Sequence, residues 1–114
     1  MAIVKAISIK EPWATMIAQG KKTIEVRSWR TKHRGRIILC ASKNPKGNFA
    51  GHAFALANLV DVRPMKRSDK KMAGNFFRAG WFAWVLESVQ TFEPFPIRGK
   101  LSLYEIDTVR KFSI

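Results

Sequence analysis

The sequence predicts an α+β chain that is mainly β, a small barrel of about six strands with one or two short helices. Three observations carry that expectation. Several short stretches have the β-branched and aromatic content, or the period-two alternation, of strands, and turn residues separate them. A clear apolar stripe at helical spacing occurs near the amino terminus only. A chain of 114 residues built from many short strands must also hide its sheet edges, which closure into a barrel does best.

Residues 2–9 (AIVKAISI) place Ile3, Ile7 and Ile9 on one parity, with Lys5 interrupting and Val4 opposite, a short and mostly buried strand. Pro12 suits the first turn of a helix, because the N–H it lacks would have no partner there. Trp13, Met16 and Ile17 then form one stripe, and Gly20 stands where a left-handed residue ends a helix, so 11–19 reads as a short amphipathic helix. The alternating, β-branched stretch 22–27 reads as a strand, and the basic 30–35 (RTKHRG) as a loop. Residues 35–42 (GRIILCAS) are a strand apolar on both faces, followed by the turn-rich 43–48 (KNPKGN).

Residues 52–62 (HAFALANLVDV) read as a long strand, with helix as the competitor because of the alanines, and Pro64 stops either. The basic 65–72 is a short helix or an ordered loop. An aromatic-rich strand follows at 80–92, then a proline-broken connection (FEPFPIRGK), then an alternating final strand at 101–109. The expectation is one domain over 1–114, with no repeats and no low-complexity tail.

Charge is the strongest compositional signal. Lys and Arg number 21 against 8 Asp and Glu, a formal net charge of +13. The excess is uneven: residues 1–48 hold 11 bases and 2 acids, whereas 81–97 hold Glu87 and Glu93 and no base. A basic face with a neutral or acidic back attracts polyanions, with affinity that falls as salt rises. No apolar run reaches the length of a membrane span and no leader-like segment opens the chain, so no membrane association is expected and the compartment is read as cytoplasmic, or nuclear in a eukaryote. Cys40 lies in the apolar third strand and reads as a core residue rather than a reactive thiol. His33 and His52 stand far apart and one cysteine leaves no zinc spacing, so neither metal nor cofactor is expected. With no long apolar edge or heptad, the default is a monomer.

The densest cluster of chemistry is Gly20–Trp29. If 22–29 is extended, Lys22, Ile24, Val26 and Ser28 face one way and Thr23, Glu25, Arg27 and Trp29 the other. Glu25 and Arg27 can then pair, and the Trp29 indole beside them can stack on a base. The competing reading is a surface ion pair worth little, with Trp29 in the core. Later aromatics, Phe76, Phe77, Trp81, Phe82 and Trp84, read mainly as core; Trp81 or Phe82 is the alternative for closing a cleft from the far side.

The run Gly20-x-Lys22-x-x-Glu25-x-Arg27 resembles the G-x-K-x-x-E-x-R signature of the ASCH domain, a member of the PUA-like group of β-barrels. The likeness continues in Pro12-Trp13-Ala14, in Arg27-Ser28-Trp29 with Thr31, and in Arg34-Gly35. It also covers Ala41 with Lys43, Leu59-Val60-Asp61, Trp84-Val85-Leu86, Pro96-Ile97-Arg98-Gly99 and Leu103-Tyr104-Glu105. The resemblance implies a barrel with a cleft beside the signature strand, lined by Trp13, Lys22, Glu25, Arg27, Ser28 and Trp29, that takes RNA or DNA. In that cleft a single-stranded, flipped or modified nucleotide would sit between aromatic walls. Arg30, Lys32, His33, Arg34 and Arg36 would hold phosphates around it, with Lys43 beyond the third strand.

A hydrolase is the alternative, with Lys22 and Glu25 as catalytic residues acting on RNA or a modified nucleoside. One subgroup of the wider family resembles an amidohydrolase that uses a lysine, a threonine and a glutamate. Its lysine falls on Lys22, but its threonine falls on Glu25, and a carboxylate cannot replace an activated hydroxyl. Thr23, on the opposite parity from Lys22, is badly placed to act instead. A third reading gives the basic 63–72 a protein partner.

Overall fold

The computed structural model describes residues 3–108, so Ala2 of the first expected strand and Val109 of the last lie outside the described residues. The elements are β1 (Ile3–Ile9), α1 (Trp13–Ala18), β2 (Ile24–Arg27), β3 (Gly35–Ala41), β4 (His52–Pro64), a 3-10 turn at Arg67–Asp69, β5 (Phe82–Pro96) and β6 (Tyr104–Asp107). Six strands form one sheet in the order β2-β5-β4-β3-β1-β6. β1 runs parallel to β3, with Ile7 opposite Leu39, and the other neighbours are antiparallel. A parallel pair needs a crossover, and here it carries α1 and β2.

Both faces of the sheet are covered, which explains why β3 has no polar parity. Ile37, Leu39 and Ala41 enter a core with Ile7, Ile9, Ala14, Ile17, Phe54, Leu59, Trp84 and Leu86. Ile38 and Cys40 enter a second with Val4, Ala6, Ala53, Tyr104 and Ile106, so Cys40 is buried and burial pushes its thiol up to about 11. The expected helical alternative at 52–62 does not form. The alanines let β4 pack closely between β3 and β5, and the register shifts between Ala53 and Ala55, Leu56 and Asn58, and Leu59 and Asp61. Such irregularities bend and twist a long strand, as a barrel-like sheet requires.

Pro64 ends β4 as expected, but the prolines after residue 92 do not break β5. The strand runs to Pro96, opposite His52. At the end of a ladder the missing proline N–H costs little. Residues 65–72 are an ordered loop around the short 3-10 turn, one of the two alternatives. No helix among the described residues is long and apolar enough to cross a membrane.

The sheet does not close by hydrogen bonds between its edges, β2 and β6. A side chain bridges the seam instead: Arg27 on β2 donates through Nη2 to the Ser8 carbonyl on β1. Of the candidate site residues, Trp13, Lys22, Glu25 and Arg27 gather at this seam.

Candidate functional site

A cleft of about 290 Å3 opens at the seam. One wall is β2 with the β4–β5 loop, contributing Lys22, Glu25, Arg27, Ala73, Phe76 and Trp81; the other is Ser8, Lys10, Ser42 and the 100–101 segment, with Trp13 of α1 at one end. Its volume is at the small end for ligand pockets and suits one planar ring system.

Lys22 reaches this cleft by a route that strand alternation does not anticipate. Gly20 is left-handed (φ 76°), and the Lys21 and Lys22 N–H groups both return to the Met16 carbonyl, at 2.9 and 3.3 Å. The strand therefore begins at Ile24, and the Lys22 side chain turns inward to the same side as Glu25. This corrects the expected opposition of the two. Lys22 Nζ donates to the Ile24 carbonyl at 2.6 Å and the Ala73 carbonyl at 3.0 Å, and lies 3.4 Å from Glu25 Oε1. It also sits 5.2 Å from the centre of the Trp13 ring. Burial pushes the Lys22 ammonium below the usual lysine range, and the Glu25 carboxylate pulls it back up.

Glu25 and Arg27 pair as alternation implies. Arg27 Nε donates to Glu25 Oε2 at 3.1 Å, and Nη2 lies 3.0 Å from the same oxygen. The competing reading of a worthless surface pair fails, because the Glu25 side chain is only 9% exposed and holds a cation on each oxygen. Among the described residues Arg27 Nη1 has no hydrogen-bond partner, so the guanidinium still has donors for a ligand.

The loop that closes the cleft is tied down at several points. The Met72 carbonyl accepts from the Thr23 and Ile24 N–H groups, at 2.9 and 3.1 Å, and the Met65 N–H donates to the Trp81 carbonyl. Asp69 accepts from Arg63 at 2.7 and 2.8 Å and from the Lys66 N–H at 2.8 Å. Gly74 is required twice over: its φ is 77°, and a Cβ there would stand 2.9 Å from Trp13 Cζ3. The backbone thus passes close against the benzo ring of the indole, and Phe76 follows 6.4 Å from Trp13, tilted to it.

The other predicted site residues fall elsewhere. Trp29 does not line the cleft; its ring meets Trp84 edge-on at 4.8 Å, and its carbonyl accepts from Trp84 Nε1 at 3.1 Å. The core competes for this indole and wins, because Trp84 offers both an aromatic partner and an N–H in need of an acceptor. Ser28 is exposed and also outside the cleft. Arg30 lies over Phe82, His33 Nε2 meets the Arg36 carbonyl at 2.9 Å, and Arg34 donates to the Thr31 and His33 carbonyls. Arg34 also faces Asp61 at 3.9 Å. Lys32 and Arg36 are exposed, and none of the 30–36 bases lines the cleft. Lys43 lines a neighbouring groove instead.

Sequence reasoning misses Phe76 and Ala73, and it ranks Trp81 as core when it lines the cleft. The usable signal is Gly74 beside Phe76 in a basic loop: a left-handed glycine marks a close approach of backbone to something, here Trp13. Among the described residues no three His, Cys, Asp or Glu side chains gather as a metal site would require.

Residues 7–96 match the family model of the ASCH domain. Activating signal cointegrator 1 of Homo sapiens and that of Mus musculus are each 44% identical to this chain over 36 residues, 32% of its length. The match spans 6% of the length of those relatives. The crystal structure of ASCH from Zymomonas mobilis superposes with a TM-score of 0.69 at 18% identity, covering 95% of this chain and 90% of that one. A tyrosine-to-phenylalanine variant of the same protein gives 0.72 at 19%, covering 96% of each. At such identities the likeness speaks for the fold, and it agrees with the PUA-like reading. The signature residues, the family match over most of the sequence and the shared fold converge: this chain belongs to the ASCH domain family.

Proposed function

We propose that the chain binds nucleic acid, RNA in the first place, by taking one unstacked or modified base into the seam cleft. The observation that carries this reading is the pairing of aromatic walls with a fixed polar end. Trp13, Phe76 and Trp81 offer π-faces, while Glu25 and Arg27 offer an acceptor and spare N–H donors held in place by their mutual bond. Base extrusion needs both, and a net charge of +13 favours the backbone that carries the base. The family membership and the partial likeness to a signal cointegrator are consistent with a nucleic-acid role.

Lys22 favours binding over hydrolysis. Its three N–H donors face three acceptors, the two carbonyls and Glu25, which favour the ammonium, a form with no lone pair to offer, against the burial that opposes it. A general base needs that lone pair. Lys22 acts here as the post that sets Glu25 and ties the loop to β2.

The test uses labelled single-stranded RNA, single-stranded DNA and duplex DNA at low and high salt, reading affinity and strand integrity together. The expected result is intact RNA bound with a steep salt dependence. Trp13→Ala and Trp81→Ala should each cost about 1–3 kcal/mol of affinity, the worth of a stacked base. Unchanged affinity in both variants would overturn the reading, and strand cleavage abolished in Glu25→Ala would establish the hydrolase instead.

A further inference from the structure

Two further grooves share walls with the cleft, on opposite sides of the seam. Phe76 lines both the cleft and a groove of about 400 Å3 with Arg67, Lys70, Asn75 and Phe77. Lys100 lines both the cleft and a more open groove that holds Lys43 and Arg98. The first groove belongs to the β4–β5 loop, the second to the segment between β5 and β6 beside β1, so the cleft lies between them.

The charge on these grooves is available. Four acids are already paired with bases: Glu25 with Lys22 and Arg27, Asp61 with Arg34 and Arg63, Asp69 with Arg63, and Glu105 with Lys5. Among the described residues Lys43, Arg98, Lys100 and Lys70 form no ion pair, and Arg67 only lies over Phe77, 4.8 Å from its centre. Glu105 and Asp107 also line the second groove, but the Glu105 carboxylate is already matched by Lys5 at 3.1 Å. By contrast Arg34 and Arg63, in the regions whose bases are most numerous in sequence, share Asp61.

We infer that a single-stranded polynucleotide crosses the seam, with the base of an internal nucleotide in the cleft and its flanking phosphates in the two grooves. This rests on the proposed nucleotide cleft and adds what the cleft alone does not specify: the ligand is the interior of a strand, neither a free nucleoside nor a chain end. One flank runs along Arg67 and Lys70, where the half-buried Phe77 ring adds a surface for a neighbouring base. The other runs along Lys100, Lys43 and Arg98. Phosphate contacts of this kind position the strand without reading its sequence.

The experiment compares uridine monophosphate with a labelled single-stranded RNA of about 12 nucleotides, within the range one small domain can cover. It uses the wild type, R67Q/K70Q, K43Q/R98Q and Trp81→Ala, each checked for folding by its thermal transition. The RNA should bind much more tightly than the mononucleotide, and each double variant should flatten the salt dependence by about one unit for every phosphate it no longer neutralises. Weakening in only one double variant would overturn the crossing and mean that a strand end occupies the cleft. Full affinity in both, with Trp81→Ala still impaired, would overturn the grooves and leave the cleft reading standing. No affinity for either probe would defeat both.

Discussion

Two charge clusters in this molecule, Lys22–Glu25–Arg27 and Arg34–Asp61–Arg63–Asp69, differ in burial and in consequence. At the seam, Glu25 stands between Lys22 and Arg27; at the foot of the β4–β5 loop, Arg63 stands between Asp61 and Asp69. The seam cluster buries both its acid and a base, with side-chain exposures of 3% for Lys22 and 9% for Glu25. The loop cluster buries only Asp69, while Arg63 is 30% and Asp61 51% exposed. The difference is what happens when one partner leaves. In the loop cluster the stranded base can turn to water; in the seam cluster it cannot. A charged cluster in sequence is therefore no measure of function until burial and a neighbouring void are known.

The largest expected effect follows from that contrast. Glu25→Ala strands the Lys22 ammonium in the interior, and breaking a buried pair from one side costs about 3–5 kcal/mol. Chemical denaturation should show destabilisation of that order, and Lys22→Met in the same background should recover part of it. A change below about 1 kcal/mol, the worth of an exposed pair, would mean that water reaches Lys22 and that the two clusters are alike.

Asp69→Asn should cost less, about 1–2 kcal/mol, because one amide oxygen still accepts the Lys66 N–H while the bidentate pairing with Arg63 is broken. The same group gives a pH signature. The Arg63 guanidinium, with the Lys66 N–H, holds the Asp69 carboxyl below the ordinary carboxylate range. Its folded pKa being depressed, its stabilisation is complete above the ordinary value of about 3.9 and disappears as pH falls through the lower folded value. The wild type should therefore lose more stability than Asp69→Asn between neutral and acid pH. Parallel curves for the two would show that the pair contributes nothing.

Asp61→Ala is the smallest. Its distances to Arg34 and Arg63 are 3.9 and 3.8 Å and its side chain is half exposed, so the change should stay within about 1 kcal/mol and fade in high salt.

Local pattern carries much of this structure and stops where distant segments meet. The double-sided β3, the Pro12–Gly20 limits of α1 and the Glu25–Arg27 pairing all follow from residues within a few positions of one another. Alternation misplaces Lys22 because its orientation depends on the left-handed Gly20 and on an acceptor at Ala73, 51 residues away. Trp29 offers the same indole to two uses, and the one that holds depends on Trp84, 55 residues away. Phe76 and Trp81 read as core because aromatic clusters usually are. Only the loop's anchoring through Met72, Ala73 and Asp69 turns them toward the seam. The G-x-K-x-x-E-x-R run falls at the cleft, where Lys22, Glu25 and Arg27 tie its polar end together.

Entry of a base between the aromatic rings of the seam can be tested by photo-crosslinking. Single-stranded RNA carrying a photoreactive uridine would be bound, irradiated and the adducts mapped by mass spectrometry. Adducts are expected on Trp13, Phe76 or Trp81, and an excess of unlabelled RNA should suppress them. Adducts confined to Arg30–Arg36, with none at the seam, would contradict that entry and return recognition to the basic loop.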